Sequence, residues 1–396
     1  MTTVHALLLI TLLAAQPALQ EFEGVCRADG GKLWGRSLCG PIVLVDPVTR
    51  AAVASADGRV FETKIPESIG VANTSVEWDG RTWTMVMWPL PQDAAACRRL
   101  LAHESFHRVQ KDLGFPSTGP SNAHLDTADA RYWMRLEWRA LARALDPRAS
   151  RRAAKQAVED ALAFRAARRA LTAKAAEDER LLEMHEGLAE HTGFALSEPR
   201  LASRVAAIVD QLTRSEKSDS YVRSFAYQSG PAWGAVIELR NPRWTRSLKA
   251  ADDLGEVARR AWDAHPPRQP RVAQYGGASI RAEEDARAEK KQQEKAALRA
   301  KFVDGPVLTL PLAQIQIVFD PNRVQPFDDL GTVYASIEIT DAWGKIVVKD
   351  GAMVTADWKR LIVPTGGEGY TLTLAPGWRI VAGKRSGDET LTKDER

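Results

Sequence analysis

The chain has 396 residues, of which 44% are hydrophobic and 27% are charged, a composition that predicts more than one folded unit and excludes a disordered protein. Its 54 basic and 51 acidic residues leave a net charge of only +3, so the overall charge gives no reason to expect nucleic acid binding. Three cysteines are too few for a disulfide-rich scaffold or a cysteine-rich zinc finger.

A short apolar run, Ala6–Ala15, lies near the start of the chain and is followed by small residues. A membrane-spanning helix needs roughly 20 apolar residues, so we expect no transmembrane segment. The pattern is typical of a signal peptide, here assigned to residues 1–20, and predicts a secreted or periplasmic protein; the alternative is a buried amino-terminal helix. In an oxidising compartment, Cys26 and Cys39 in the following glycine-rich, strand-like stretch could form a disulfide.

The rest of the chain divides into four segments by composition. Short apolar runs separated by Asp-Gly turns predict an N-terminal β subdomain at 21–92, and an Ala-, Leu- and Arg-rich stretch predicts a helical domain at 93–265. Segment 266–301 combines a proline-rich break with a charge-dense helix, which indicates a linker. Apolar strands and turns return in 302–396 and predict a separate small β domain. We therefore predict an α+β fold.

The helical segment contains the motif His-Glu-Ser-Phe-His at 103–107. Asp93 is expected to cap the start of a helix that carries this motif. On a helix, residues four apart face the same side, so His103 and His107 can bind one Zn²⁺ through their imidazole nitrogens. Glu104 lies beside them and can act as the general base that takes a proton from water. The pattern therefore predicts a catalytic zinc site.

A catalytic zinc needs a third protein ligand, and several downstream side chains are candidates. They are imidazole or carboxylate groups of the helical segment: His124, Asp126, Glu183, His185, Glu186 and Glu190. We interpret the two histidines of this group as non-ligands. Glu186 lies on a helical stripe of otherwise apolar or small residues, and Gly187 beside it allows another helix to approach closely. Glu190 lies one turn further along and could hydrogen-bond a ligand histidine.

Together with the later string Glu-Gly-Leu-Ala-Glu at 186–190, the first motif resembles the gluzincin metallopeptidases, whose relatives include thermolysin and aminopeptidase N. In that family a glutamate on a later helix completes the zinc site, so the resemblance implies that Glu186 is the third ligand. Asp126 is the first alternative, because the spacing from His107 to Glu186 is longer than in aminopeptidase N. The further alternatives are Glu183 and Glu190.

The sequence Tyr-Gln-Ser-Gly that begins at Tyr227 is similar to the Y-x-K-G string of aminopeptidase-like gluzincins, although Ser229 replaces the lysine. The resemblance implies that the hydroxyl group of Tyr227 stabilises the oxyanion that develops during the reaction. The alternative is that Tyr227 is a buried aromatic residue of an amphipathic helix. In that case Tyr221 or His191 is the next candidate for the catalytic role.

These observations predict an exported zinc-dependent metallopeptidase, which hydrolyses peptide bonds with metal-activated water and with Glu104 as the general base. Its substrate would be a peptide or protein. The strand predicted at Thr82–Trp88 could pair with an extended peptide if it lies at the edge of a sheet. Two alternatives remain: a zinc-containing binding protein without turnover, and a cell-envelope scaffold whose helical domain is purely structural.

Overall fold

The computed structural model describes residues 2–366 and 369–394 of the chain. The chain divides into two compact units, Met1–Asp285 and Ala286–Arg396. The first unit is mainly helical with one β-sheet, and the second consists mainly of strands. The predicted α+β fold class is therefore confirmed.

The first unit begins with helix α1 (Thr2–Asp29), which covers the predicted signal peptide and continues beyond it. Residues at helical spacing along α1 form a buried face: Ala15, Leu19, Phe22 and Cys26. Phe22 and Cys26 follow the predicted signal peptide, so a chain processed there would keep this part of the core. Export of the chain stays a prediction.

Cys26 forms a disulfide with Cys39, and the Cα atoms of the two residues are 5.3 Å apart. The expected strand-like character of this stretch is wrong, because Cys26 lies in α1 and turns lead from its end towards Cys39. The carboxylate of Asp29 stabilises these turns by accepting hydrogen bonds from the main-chain N–H groups of Gly31 and Leu33. The disulfide ties the end of α1 to the segment that enters the first sheet.

The first sheet contains β1 (Ile42–Val45), β2 (Ala51–Ala56), β3 (Arg59–Lys64), β4 (Thr74–Trp78) and β5 (Arg81–Met87). Its strand order is β3-β2-β1-β5-β4, in which β1 and β5 run parallel and the other neighbouring pairs are antiparallel. The prediction that Thr82–Trp88 lies at a sheet edge is wrong, because β5 pairs with β1 as well as with its hairpin partner β4. The edge position on this side of the sheet belongs to β4.

The helices of the first unit follow the sheet. They are α2 (Ala94–Gln110), α3 (Ala128–Ala144), α4 (Arg151–Arg169), α5 (Ala175–Leu182), α6 (Leu188–Ser197), α7 (Leu201–Ser215), α8 (Phe225–Glu238) and α9 (Leu254–Trp262). Helix α10 (Gly277–Arg299) begins in the first unit and ends in the second. A π-helical turn, Glu183–Gly187, joins α5 to α6, and short 3₁₀ helices lie at Ala123–Asp126, Trp244–Arg246 and Val272–Tyr275. Large aromatic side chains such as those of Phe106, Trp138 and Trp233 are buried in the core that these helices form.

Helix α2 forms where the sequence predicts it, and local interactions fix its start. The Asp93 side chain accepts a hydrogen bond from the main-chain N–H of Ala96, which confirms the predicted N-cap. After the helix ends at Gln110, Gly114 has a φ angle of +80°, in the left-handed region that glycine adopts without strain. The His-Glu-Ser-Phe-His motif therefore lies in the second half of a well-defined helix.

The second unit contains the strands β6 (Val307–Pro311), β7 (Gln316–Phe319), β8 (Val324–Phe327), β9 (Gly331–Tyr334), β10 (Ile337–Asp341), β11 (Gly344–Val348), β12 (Ala352–Thr355), β13 (Arg360–Pro364), β14 (Tyr370–Leu374), β15 (Trp378–Ala382) and β16 (Glu389–Lys393). They form one sheet of order β14-β11-β10-β7 and another of order β15-β16-β6-β13-β12-β9-β8. Leu308, Ile339 and Trp343 are among the buried residues of a core within this unit. None of the described helices is long and apolar enough to cross a membrane.

Candidate metal centre

Three side chains from two separate parts of the first unit converge on one point. The Nε2 atoms of His103 and His107 are 3.1 Å apart, and Oε2 of Glu186 lies 3.4 Å from each of them. The two histidines come from α2, and Glu186 comes from the π-helical turn that follows α5. All three side chains are largely buried, and together they could hold a metal ion.

The π-helical turn approaches α8 closely because glycine lies on both sides of the contact. A Cβ atom at Gly230, on α8, would overlap with the Cα atom and the carbonyl group of Gly187. Main chain therefore packs directly on main chain at this point. The close approach that the sequence predicted for Gly187 is confirmed, and it brings α8 next to the helical turn that carries Glu186.

The outer ring nitrogens of both histidines have polar partners. Nδ1 of His103 lies 2.9 Å from Oε2 of Glu190, and Nδ1 of His107 lies 2.7 Å from Oε1 of Gln110. Such contacts orient an imidazole ring, and a neutral ring that carries its proton on the outer nitrogen keeps the Nε2 lone pair for a metal. The predicted contact between Glu190 and a histidine is confirmed. The sequence analysis missed Gln110, although its position three residues after His107 places both on one face of α2.

His103 and Glu186 shift each other's pKa values. Burial would lower the pKa of His103, but hydrogen bonds with Glu186 and Glu190 raise it to about 10. Burial would likewise raise the pKa of Glu186, but hydrogen bonds with the two histidines hold that pKa far below its ordinary value. Glu186 is therefore a carboxylate at neutral pH, which is the form that binds a metal ion.

Glu104 lies next to this group but its environment differs. Its side chain is almost fully buried, and among the residues that the structure describes Oε2 has no hydrogen-bond partner. Burial raises its pKa, an effect that the neighbouring histidines oppose. A buried carboxylate with a free oxygen and a raised pKa is suited to receive a proton from a water molecule.

Tyr227, on α8, also reaches the group. Its hydroxyl donates a hydrogen bond to Oε2 of Glu186 at 2.7 Å, and its ring stacks on His103 with the ring centres 5.4 Å apart. Tyr227 is therefore next to the atoms that could bind a metal. The two reserve residues have other partners: Tyr221 donates to the main-chain oxygen of Glu216, and His191 packs against Trp244.

The other candidate ligands lie outside the group. Asp126 accepts a hydrogen bond from the main-chain N–H of Tyr221 at 2.8 Å. Glu183 is buried in an ion pair with Arg165, although it belongs to the same π-helical turn as Glu186. His124 pairs with the carboxylate of Glu179. These contacts give each of the three side chains a structural partner of its own.

A cleft of about 630 Å³ contains the candidate site. One part of its wall comes from the start of the edge strand β4, at Thr74 and Ser75. Arg223 and His185 also line the cleft, and each has a nitrogen 3.6 Å from Oε1 of Glu186. Arg223 escaped the sequence analysis because a single arginine before a helix carries no motif.

No protein-family model, curated protein or solved structure matches this chain.

One buried histidine outside the cleft has a consequence for stability. His191 is 1% exposed, and neither of its ring nitrogens has a hydrogen-bond partner among the described residues. Its ring contacts Trp244 and leaves no room for a Cβ atom at Gly234. Burial, with a smaller effect of the Arg204 charge, lowers its pKa to about 3.

We expect the pKa of His191 to make the protein sensitive to mild acid. Below its ordinary pKa, His191 binds a proton in the unfolded chain but not in the folded one, so the free energy of unfolding decreases as the pH falls from 6.5 towards 3. Through His191, the free energy of unfolding should decrease by about 2 kcal/mol between pH 7 and pH 5. The His191→Leu variant should not show this decrease, as measured by urea unfolding at several pH values. The exposed His265→Leu variant is the control, and equal pH dependence in wild type and His191→Leu would contradict the prediction.

Proposed function

We propose that the chain is a zinc-dependent metallopeptidase in which His103, His107 and Glu186 bind the metal. One observation carries the proposal: the three ligand atoms are separated by 3.1, 3.4 and 3.4 Å. Tetrahedral coordination with bonds of about 2.0–2.1 Å requires separations of about 3.3–3.4 Å. Two imidazoles and one carboxylate are also a common ligand set for catalytic zinc, with the fourth position left for water or substrate.

The unpartnered oxygen of Glu104 supports a catalytic role over a purely structural site. When bound, zinc supplies a more acidic water and polarises the scissile carbonyl. Glu104 accepts a proton from the attacking water and transfers it to the departing amine, because its raised pKa makes it a stronger base than an ordinary glutamate. Tyr227 has one hydroxyl hydrogen, which it donates to Glu186 in this structure and redirects to the oxyanion of the substrate during the reaction.

Substrate binding is proposed at the edge of the first sheet. The hypothesis based on sequence assigned this role to Thr82–Trp88, but β5 has strand partners on both sides. Strand β4 pairs on one side only among the described strands, and its residues Thr74 and Ser75 line the cleft. An extended peptide added to β4 would place its main chain beside the metal site.

We also propose, first, that the chain is a member of the gluzincin family and, second, that it is exported. The motifs at 103–107 and 186–190 support the first, because they supply the ligands and the base in the order that this family uses. The apolar run near the amino terminus and the disulfide between Cys26 and Cys39 support the second.

Metal analysis combined with a peptide library tests the proposal. We expect purified full-length protein to contain close to one zinc ion per chain and to cleave peptides from a fluorogenic library. A chelator should abolish cleavage, and added zinc should restore it. Zinc without cleavage of any peptide would favour the binding-protein alternative, whereas protein that neither contains nor binds zinc would contradict the metal site itself.

A further inference from the structure

Gln110 connects the two parts of the chain that carry the candidate ligands. It is the last residue of α2 and its side chain is 1% exposed. On one side, its Oε1 lies 2.7 Å from Nδ1 of His107. On the other, its Nε2 donates to the main-chain oxygens of Met184 and His185 at 3.2 and 3.3 Å, within the π-helical turn that contains Glu186.

A third main-chain contact fixes the orientation of the Gln110 amide. Its Nε2 also lies 2.5 Å from the carbonyl oxygen of Pro116, in the loop after α2, so its two N–H groups are shared among three carbonyl acceptors. With the amide turned over, Oε1 would face three carbonyl oxygens and could form no hydrogen bond with any of them. The oxygen of the amide must therefore face His107, and His107 must donate from a protonated Nδ1.

We propose that Gln110 is a positioning residue of the metal site. It fixes the orientation of the His107 ring and the position of the π-helical turn relative to that ring. Protonation at Nδ1 leaves the lone pair of His107 on Nε2, the nitrogen that faces Glu186. The donation to Met184 and His185 anchors the two successive main-chain carbonyl groups that immediately precede Glu186. One side chain thus controls both the direction of one ligand and the place of another.

The contacts of Gln110 go beyond those of a residue that only stabilises the loop after α2. Stabilising that loop requires only the contact with Pro116. Gln110 also contacts His107 through Oε1 and Met184 through Nε2, and both of these residues lie in elements that carry candidate ligands. The proposal rests on the metal site of the proposed function but not on peptide cleavage. Its tests therefore use zinc binding and the protonation state of a ring nitrogen.

Zinc affinity provides the first test. In competition with a chromogenic chelator, the nearly isosteric Gln110→Met variant should bind zinc about 10–100-fold more weakly than wild type. The matched control is Gln228→Met, because Gln228 is also buried but donates to Ser215. The control should bind zinc as wild type does. Equal affinity of wild type and Gln110→Met would overturn the role of Gln110 alone, whereas wild-type protein that binds no zinc would overturn the metal site as well.

The second test is read on the wild-type protein, and a variant serves only to assign its signals. In metal-free wild-type protein labelled with [¹⁵N]histidine, two-bond ¹H–¹⁵N spectra report which nitrogens of each ring carry a proton. Loss of a signal in His107→Asn assigns the ring. A protonated Nδ1 on His107 supports the proposal, and an unprotonated Nδ1 overturns it, because Gln110 could then not accept a hydrogen bond from that ring.

Discussion

The Glu104→Gln variant should lose peptide cleavage by about 10²–10⁴-fold while it keeps its metal. The amide has nearly the same size as the carboxylate but cannot accept a proton from water. Glu104 does not belong to the group formed by His103, His107 and Glu186, so its replacement leaves all three ligands in place. The measurement combines kcat/KM for a cleaved library peptide with the zinc content of the same preparation.

An exposed glutamate provides the control for this substitution. Glu177 lies in the first turn of α5, is exposed to solvent and does not line the cleft, so Glu177→Gln should cleave peptide at the wild-type rate. If Glu104→Gln retained wild-type activity, the assignment of Glu104 as the general base would be refuted. Loss of zinc together with activity would instead show that Glu104 supports the metal site.

The Glu186→Gln variant is expected to bind zinc at least about 100-fold more weakly than wild type. Structural zinc in zinc-finger peptides is bound with about 10–16 kcal/mol, so each ligand of such a site contributes about 3–4 kcal/mol. Glu186 is held as a carboxylate by the hydrogen bonds that lower its pKa, and a neutral amide oxygen is a poorer ligand. Competition with a chelator of known affinity measures the change.

Glu183 offers a matched control within the same π-helical turn. Glu183→Gln removes a buried charge from the ion pair with Arg165, which keeps Glu137 and Asp253 as partners. We therefore expect a loss of stability of about 1–3 kcal/mol with unchanged zinc affinity. If instead Glu183→Gln lost zinc and Glu186→Gln kept it, the ligand assignment would have to move to Glu183, which the sequence analysis retained as an alternative.

Local signals in the sequence were sufficient to predict helix α2. Asp93 and the alanines after it specify the start of the helix through short-range hydrogen bonding and helix propensity, so no tertiary information is needed. The same holds for the face shared by His103 and His107, which follows from helical spacing. The α+β class also follows from the change of apolar periodicity along the chain.

Long-range pairing could not be predicted in this way. The alternation of Thr82–Trp88 indicates a strand, but the parallel partner β1 lies some forty residues earlier, and nothing local records that pairing. The strand was therefore assigned to an edge that β4 occupies. The turns before Cys39 were missed for a related reason, since glycine-rich sequence suits turns as well as strands.

The site was predictable to the extent that motifs carry it. His103, His107, Glu186 and Tyr227 each belong to a string with a known spacing, and the structure brings their side chains together. The π-helical turn and the contacts of Gln110 depend instead on packing between elements far apart in sequence. Such contacts leave no periodic trace in the chain.

The contact between Gly187 and Gly230 has a consequence for how freely this protein can vary. Because the main chains touch at this contact, α8 cannot come closer to the π-helical turn. The contact therefore sets the distance between the hydroxyl of Tyr227 and the carboxylate of Glu186. A larger residue at Gly230 would push α8 away from the π-helical turn and increase the distance between the hydroxyl of Tyr227 and the carboxylate of Glu186. The geometry of the candidate site thus depends on two glycines that contribute neither a ligand nor an acid–base group.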